Sequence, residues 1–301
     1  MSSLQTQVLQ SFSDALVALV SRASPSVVQV SSGRGFGTGI VWDKEGHILT
    51  NSHVIGRSSK IEVSFPGGDI LGATLVGQDR FSDIAVLKVV EAADRATFQP
   101  LERGTSDGLA TGQFVLALAN AFGEKVSACS GIITNPKGRL GGPWTDDLII
   151  TDVRLNRGYS GGPLIDATGK MIGMNTAVYA NRGIAIPSSV LTTVVKELTS
   201  NGSVKRAYLG IVSNPISLPD ELVQELGQSG GLLVLSVEPG TPAKKAGVAI
   251  GDIIVRVDSK KVEGYYDLHK ILKGGIIGRE TGLSVLRGEK LTELVITPTE
   301  A

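Results

Sequence analysis

Gly158-Tyr159-Ser160-Gly161-Gly162-Pro163-Leu164 is the stretch on which the reading of this chain turns. A serine between glycines, just ahead of an apolar strand, is the setting a nucleophile needs. Gly158 permits a sharp turn, and Gly161 and Gly162 are expected to keep bulk away from the attacking oxygen. The same turn can aim the N–H groups of Gly158 and Ser160 at one point, where the oxyanion of a tetrahedral intermediate would be held. A serine hydroxyl is a weak nucleophile at neutral pH, so it needs a base, and the base needs an orienting acid. His53, in Thr50-Asn51-Ser52-His53-Val54, and Asp83, in Ser82-Asp83-Ile84-Ala85-Val86-Leu87-Lys88, supply both upstream. Singly, these are a Gly-rich turn, a histidine at a strand end and a solvated acid. Together, each beside an apolar β-like run and in the order His, Asp, Ser, they read as a catalytic triad.

The composition fits that reading. The chain has 301 residues, room for two or three domains, with 42% hydrophobic residues and a formal net charge of zero. Without a basic excess, nucleic-acid binding is not expected. Its 38 glycines against 5% aromatics suit many tight turns between short strands. Cys129 is the only cysteine, so neither an intrachain disulfide nor a Cys-based zinc site is expected, and its strand-like flanks suggest a buried, inert thiol. No metal or other cofactor is called for. No basic n-region precedes an apolar run, and no run reaches the roughly 18 residues of a membrane span. As written, the chain is expected to stay in the cytoplasm or to be a processed form of an exported protein.

Along the chain, residues 1–24 carry an amphipathic helix, with Leu4, Val8, Leu9, Phe12, Leu16, Leu19 and Val20 on one stripe and Pro25 ending it. This helix either packs on the first barrel or makes an oligomer contact. Residues 27–90 turn to period two. Their Gly-rich Gly33-Arg34-Gly35-Phe36-Gly37-Thr38-Gly39 resembles a phosphate cradle only superficially, because no Lys-Ser/Thr pair follows. A loop over residues 91–112 precedes a second set of strands at 114–118, 126–134, 148–152, 163–165, 171–178 and 184–186. Asn135-Pro136-Lys137-Gly138 is expected to be a turn. Two sets of about six short strands indicate two β-barrels over residues 25–200, with the active site in the cleft between them. Ser188 or Ser189 is expected to cap a helix that stops at Asn201-Gly202. Residues 203–301 form an α+β module, with a short helix after Thr241-Pro242 and a second ending at Gly274-Gly275. His269 on the second helix faces either a peptide groove or solvent.

These motifs resemble the HtrA/Deg family of trypsin-like serine proteases. The resemblance runs from about Ser24 to the C-terminus and also rests on Asn156-Arg157-Gly158-Tyr159-Ser160-Gly161-Gly162-Pro163-Leu164, Gly183-Ile184-Ala185-Ile186-Pro187, Tyr208-Leu209-Gly210-Ile211 and Gly251-Asp252-Ile253-Ile254. It implies a mainly β fold: a trypsin-like double β-barrel followed by an α+β PDZ domain. The implied activity is ATP-independent endoproteolysis of unfolded or damaged proteins, often by homo-oligomers, with a trimer favoured. By position, His53 would be base and then acid, Asp83 would orient it, Ser160 would attack, and Gly158 and Ser160 would donate to the oxyanion. Asn175, Thr176, Ala177 and Val178 resemble the strand that pairs with substrate, and Arg154 and Leu155 lie where the pocket before the scissile bond is formed. Tyr208, Leu209, Gly210 and Ile211 resemble a PDZ carboxylate loop and peptide-accepting strand, which would take peptide C-termini by β-augmentation. Tyr159 stands where the family has Asn, Arg154 where it has a small residue, and Asn120-Ala121-Phe122-Gly123 for Asn-Pro-Phe-Gly. The first two departures bear on substrate preference, and Arg154 is expected to turn outward onto Asp146, Asp147 or Asp152. The competing reading from another class is a PDZ-based chaperone or adaptor on a protease scaffold.

Overall fold

Short runs rich in β-branched residues build the twenty strands of the described chain, and helices and turns join them. The computed structural model describes residues 3–33, 35–90, 98–123, 125–138, 147–273 and 275–300; those up to Val204 and those from Lys205 onward form two compact units. Expectations that fall on residues 91–97, Asp146 and Gly274 lie outside the described residues.

The first unit opens with helix α1 (Ser3–Ala23). Strands β1 (Val27–Ser31), β2 (Phe36–Val41) and β3 (His47–Thr50), the short helix α2 (Ser52–Ile55), and strands β4 (Ile61–Ser64), β5 (Ile70–Asp79) and β6 (Ile84–Val89) follow. The strands close an antiparallel barrel in the order β1-β2-β3-β6-β5-β4. Val28 and Val30 point into its core with Ile48 and Leu87, while Gln29 between them stays half-buried. Such burial stabilises by about 1.5–3 kcal/mol per large apolar side chain. A second closed barrel, β10-β11-β12-β9-β8-β7, is made from β7 (Phe114–Ala119), β8 (Ser127–Gly138), β9 (Leu148–Thr151), β10 (Pro163–Asp166), β11 (Met171–Tyr179) and β12 (Arg182–Pro187). Helix α3 (Ser188–Asn201) closes the unit, and Gly202, in the left-handed region at φ 72°, caps it by donating to the Leu198 carbonyl.

Three local expectations are corrected. Asn135-Pro136-Lys137-Gly138 is not a turn: β8 continues through it, with register shifts against β9 between Ile133 and Asn135 and between Asn135 and Gly138. Bulges absorb the proline, which has no N–H to give a regular ladder. Ser188 and Ser189 do not cap α3; its N-cap is Pro187, and the Ser188 hydroxyl donates instead to the Gly104 carbonyl at 2.9 Å. Helix α1 lies on the second barrel rather than the first. Phe12 meets Phe114 of β7 edge to face at 5.9 Å, and Arg22 donates to the Thr168 carbonyl.

The second unit holds β13 (Ala207–Tyr208), β14 (Ile211–Ser217), α4 (Asp220–Leu226), β15 (Gly230–Val237), α5 (Pro242–Lys245), β16 (Ile253–Val257), β17 (Lys260–Lys261), α6 (Tyr265–Leu272), β18 (Thr281–Arg287), β19 (Lys290–Ile296) and β20 (Thr299–Glu300). Its main sheet runs β14-β15-β16-β18-β19, so β14 has one free edge, and β13 pairs with β20. Leu232, Val234, Ile254, Leu268, Ile271 and Val285 fill its core. Buried Asp252 accepts both nitrogens of the Arg287 fork at 2.8 Å and the Ala249 N–H at 2.8 Å.

Candidate active site

Strand β3 ends at Thr50, and the chain turns at once into α2, which carries His53. Asp83 stands just ahead of β6, and the ladder between β3 and β6 brings the two residues together. The Asp83 backbone takes the left-handed conformation at φ 56°, a region that aspartate tolerates better than most residues. The Asn51 side-chain amide holds it there by donating to the Asp83 carbonyl at 2.9 Å. The Asp83 carboxylate then accepts three donors. The His53 backbone N–H lies 3.0 Å from Oδ1, while His53 Nδ1 and the Thr176 hydroxyl lie 2.8 and 2.6 Å from Oδ2. A carboxylate at Nδ1 fixes the proton there and leaves Nε2 as the free base. The hydrogen bond to Asp83 raises the His53 pKa above the ordinary histidine value; burial opposes the shift and the Asp83 charge adds to it.

Ser160 sits in the turn before β10. Gly158 is in the left-handed region at φ 93°, and a Cβ there would lie 2.5 Å from that of Ala121. Gly161, at φ 84°, passes so close to β2 that a Cβ would lie 2.0 Å from the Thr38 carbonyl oxygen. Gly161 therefore permits close backbone approach between the barrels, and Gly158 permits close approach to Ala121 beside β7 of its own barrel. The Tyr159 N–H is donated to the Asn156 carbonyl, while those of Gly158 and Ser160 meet no acceptor among the described residues. Two unpaired donors flanking a candidate serine nucleophile are what an oxyanion requires. The Ser160 hydroxyl donates to the Thr176 carbonyl at 3.0 Å, and no hydrogen bond joins it to His53 among the described residues. A χ1 rotation, fast on the scale of turnover, is needed to pass its proton to the imidazole.

Two residues complete this geometry in ways the sequence reading missed. Thr38, fully buried on β2, donates its N–H to the Ser160 carbonyl at 2.8 Å and its hydroxyl to the Gly158 carbonyl at 2.6 Å. The Thr38 hydroxyl also accepts the Asn120 N–H at 3.0 Å. Only its place in a Gly-rich loop before an apolar strand hinted at close approach. Thr176, read as part of a substrate strand, also orients Asp83 through its hydroxyl.

The remaining expected residues separate into groups. Asn175 is buried, with its side chain on the Pro163 carbonyl at 3.1 Å, so it shapes the strand and does not face substrate. Strand β11 pairs with β10 only through Met174, so beyond that point Thr176, Ala177 and exposed Val178 have β12 on one side alone. Arg154 is exposed and has no ion-pair partner among the described residues; Asp152, one candidate, instead accepts the Ile132 N–H at 2.7 Å. Leu155 packs against the core of the second barrel. Tyr159 turns into that same core, away from substrate, and its hydroxyl lies 3.3 Å from Cys129 Sγ. Burial, and then that contact, push the phenol pKa upward. Cys129 is a free thiol that is half-buried rather than fully buried. Arg157 stacks on the Phe36 ring at 5.0 Å, and Phe36 meets the exposed Phe122 at 6.3 Å, giving the Ser160 turn an aromatic flank.

In the second unit, Leu209 is buried in the core and Gly210 is left-handed at φ 83°. Their carbonyls are tied back by the N–H groups of Ala243, at 2.9 Å, and Glu238, at 3.0 Å. The Tyr208 hydroxyl bonds Glu238, and Ile211 begins the free-edged β14. Tyr265, on α6, reaches that strand through hydrogen bonds to the Ser213 carbonyl and to Asn214 Oδ1.

Comparison with known proteins agrees with both halves. A trypsin-like peptidase domain matches residues 37–174, and a PDZ domain matches residues 207–297. The chain is 35% identical to "Protease Do-like 1, chloroplastic" of Arabidopsis thaliana, over 96% of its own length and 72% of the relative's. It is also 35% identical to a "Probable periplasmic serine endoprotease DegP-like" of Chlamydia trachomatis, over 88% of its length but 54% of the relative's. Among solved structures, "HtrA-type protease AlgW with decapeptide" superposes with a TM-score of 0.79 at 29% identity, covering 94% of this chain and 98% of that one. A serine endoprotease from Yersinia pestis superposes with a TM-score of 0.75 at 31% identity, covering 94% and 97%. No described helix is long and apolar enough to cross a membrane.

Proposed function

Because this chain belongs to the HtrA family of trypsin-like serine proteases, we propose that it is an ATP-independent endopeptidase working through His53, Asp83 and Ser160. The observation that carries the reading is the Asp83–His53 contact at 2.8 Å, set in the same unit as a serine flanked by two unpaired N–H groups. His53 Nε2 takes the serine proton as Oγ attacks the scissile carbonyl. The Gly158 and Ser160 N–H groups hold the oxyanion, and His53 returns the proton to the leaving amine. Water then attacks the acyl-enzyme by the same base, and no atom beyond the chain, the peptide and water is needed.

Extended, unfolded polypeptide suits this site, because its backbone can add a strand along β11 at Thr176–Val178. With Leu155 in the barrel core and Arg154 exposed, cleavage after Val, Ala, Leu or Ile is favoured over cleavage after Asp or Glu. The C-terminal unit would take peptide C-termini between the Leu209–Gly210–Ile211 loop and β14, and the cellular role would be protein quality control, in homo-oligomers with a trimer favoured. A fluorophosphonate probe and unfolded casein test the central claim. Labelling and cleavage should both vanish in Ser160→Ala, with residual hydrolysis only about 10³–10⁴-fold above water. A folded wild type that neither labels nor cleaves would favour an adaptor built on a protease scaffold, and a Ser160→Ala protein that cleaves at the wild-type rate would refute the nucleophile.

A further inference from the structure

A cavity of about 690 Å³ opens beside His53, between the β1–β2 loop around Gly33 and the segment that runs on from His53 to Ser59. Neither the nucleophile turn nor the free edge of β11 contributes to its wall. That placement assigns it a side of the substrate. The acyl half of a bound peptide pairs along β11, whereas the leaving amine must sit where His53 can return its proton. A cavity walled by His53 and by nothing from β11 therefore faces the residues that follow the scissile bond.

The chemistry of the wall is lopsided. Among the described residues of the wall, the one ionisable side chain besides His53 is Arg57, which is exposed and makes no ion pair or hydrogen bond among the described residues. The neighbouring Lys60 is already paired with Glu62 at 3.1 Å. The Ser32 and Ser58 hydroxyls are committed to the Val54 and Lys60 carbonyls, at 2.7 and 2.9 Å. Gly33, Gly35 and Gly56 add no side chains, which leaves the volume open. Among the described residues, the one charged donor unspoken for is the planar Arg57 guanidinium, whose fork matches a carboxylate.

We propose that Arg57 reads a carboxylate on the leaving-group side of the substrate, borne by an acidic side chain or by the C-terminus of a short leaving segment. This rests on the protease reading above. The test uses the full chain and internally quenched peptides of one sequence, with cleavage sites mapped by mass spectrometry. In one arm, Glu or Gln is walked through the three positions after the scissile bond. In the other, peptides ending two or three residues after it carry a free or an amidated C-terminus. At an exposed site, the charged form should be preferred roughly three- to tenfold in kcat/KM, less at high salt. That preference should disappear in Arg57→Gln and persist in Arg57→Lys.

A Glu preference supports side-chain recognition, and a free-carboxylate preference supports terminal recognition. Equal rates for charged and neutral peptides in the wild type, or a preference that survives Arg57→Gln, would overturn the inference while leaving the protease reading intact. A wild type that cleaves none of the peptides overturns both.

Discussion

Replacing Thr38 with valine removes one hydroxyl from a fully buried site while keeping the shape and the backbone N–H that holds the Ser160 carbonyl. The lost oxygen makes two hydrogen bonds, at 2.6 Å to the Gly158 carbonyl and 3.0 Å from the Asn120 N–H. Gly158 and Asn120 are themselves buried, so each orphaned group costs about 1–3 kcal/mol, and the pair about 2–6 kcal/mol before relaxation. The unpaired Gly158 carbonyl sits in the peptide between the two oxyanion donors, so relief of that cost tilts the donors. Deleting an oxyanion donor outright costs about 10²–10³-fold in kcat, and tilting it should cost less, about 10–100-fold, with KM nearly unchanged. The assay is kcat and KM on a quenched peptide, with thermal unfolding alongside, and Thr38→Ser as the variant that restores the hydroxyl. A valine variant that melts earlier yet turns over within twofold of wild type would refute the link to the oxyanion turn. So would a serine variant as slow as the valine one.

Other perturbations follow the same logic. Activity should fall as pH drops through the His53 pKa, which lies above the ordinary histidine value, because the imidazolium cannot accept the serine proton. In Asp83→Asn the opposing burial is left in charge, so the acid limb of the kcat/KM profile should move to lower pH while the rate drops about 10⁴-fold; an unmoved limb would separate Asp83 from the shift. The same pairing bears on stability: a raised pKa stabilises below the unfolded histidine value and is lost as pH rises through the folded one, so Asp83→Asn should destabilise more at pH 5 than at pH 9 in urea melts. Gly161→Ala sets a Cβ 2.0 Å from the Thr38 oxygen at φ 84°; it should cost about 3 kcal/mol or more and abolish phosphonate labelling, and a labelled, stable variant would contradict the packing. Burial tends to raise the Asp252 pKa, but the Arg287 fork and the Ala249 N–H outweigh it and hold it below the ordinary carboxylate value. Its contribution is thus present above the unfolded carboxylate pKa and lost as pH falls through the folded one, so Arg287→Ala should lower the urea midpoint of the PDZ signal at pH 7, and by less near pH 3. Equal losses at both pH values would exclude the pair as the cause.

The parts of this molecule legible in the sequence are those whose chemistry is written in a few consecutive residues. His53 follows a strand directly, Asp83 precedes one, and Ser160 is fenced by glycines, so each carries its own local signal. What the sequence hid depends on pairings across long separations. Thr38 lies in a stretch that reads from sequence only as Gly-rich, and its role exists because β2, which carries it, packs on a turn more than a hundred residues later. Thr176 looks like any strand residue until Asp83 arrives beside its hydroxyl. Tyr159 was unreadable for a different reason: one residue either side of a sharp turn decides whether a ring faces substrate or core, and here Cys129 and the second barrel take it inward. The Asn-Pro-Lys-Gly run in β8 carried an honest turn signal that β9 overrode by pairing around it.

The proposed acid–base pair, His53 and Asp83, belongs to the first barrel and the proposed nucleophile, Ser160, to the second, so on this reading neither barrel holds a reactive site alone. Beside the Phe36–Phe122 ring contact, their seam carries a set of directional polar contacts. Thr38 reaches Ser160 and Gly158, Thr176 reaches Asp83, Gln29 donates to the Ala121 carbonyl at 2.7 Å, and Asn120 donates to the Val27 carbonyl at 3.2 Å. Each such bond is directional and contributes about 0.5–1.5 kcal/mol net, more where a charge is involved, whereas each core rests on many apolar contacts that tolerate small shifts. Proton transfer tolerates far less: a displacement of about 1 Å can cost 10²-fold in rate. A slip along the seam would therefore silence the chemistry long before either barrel lost its core.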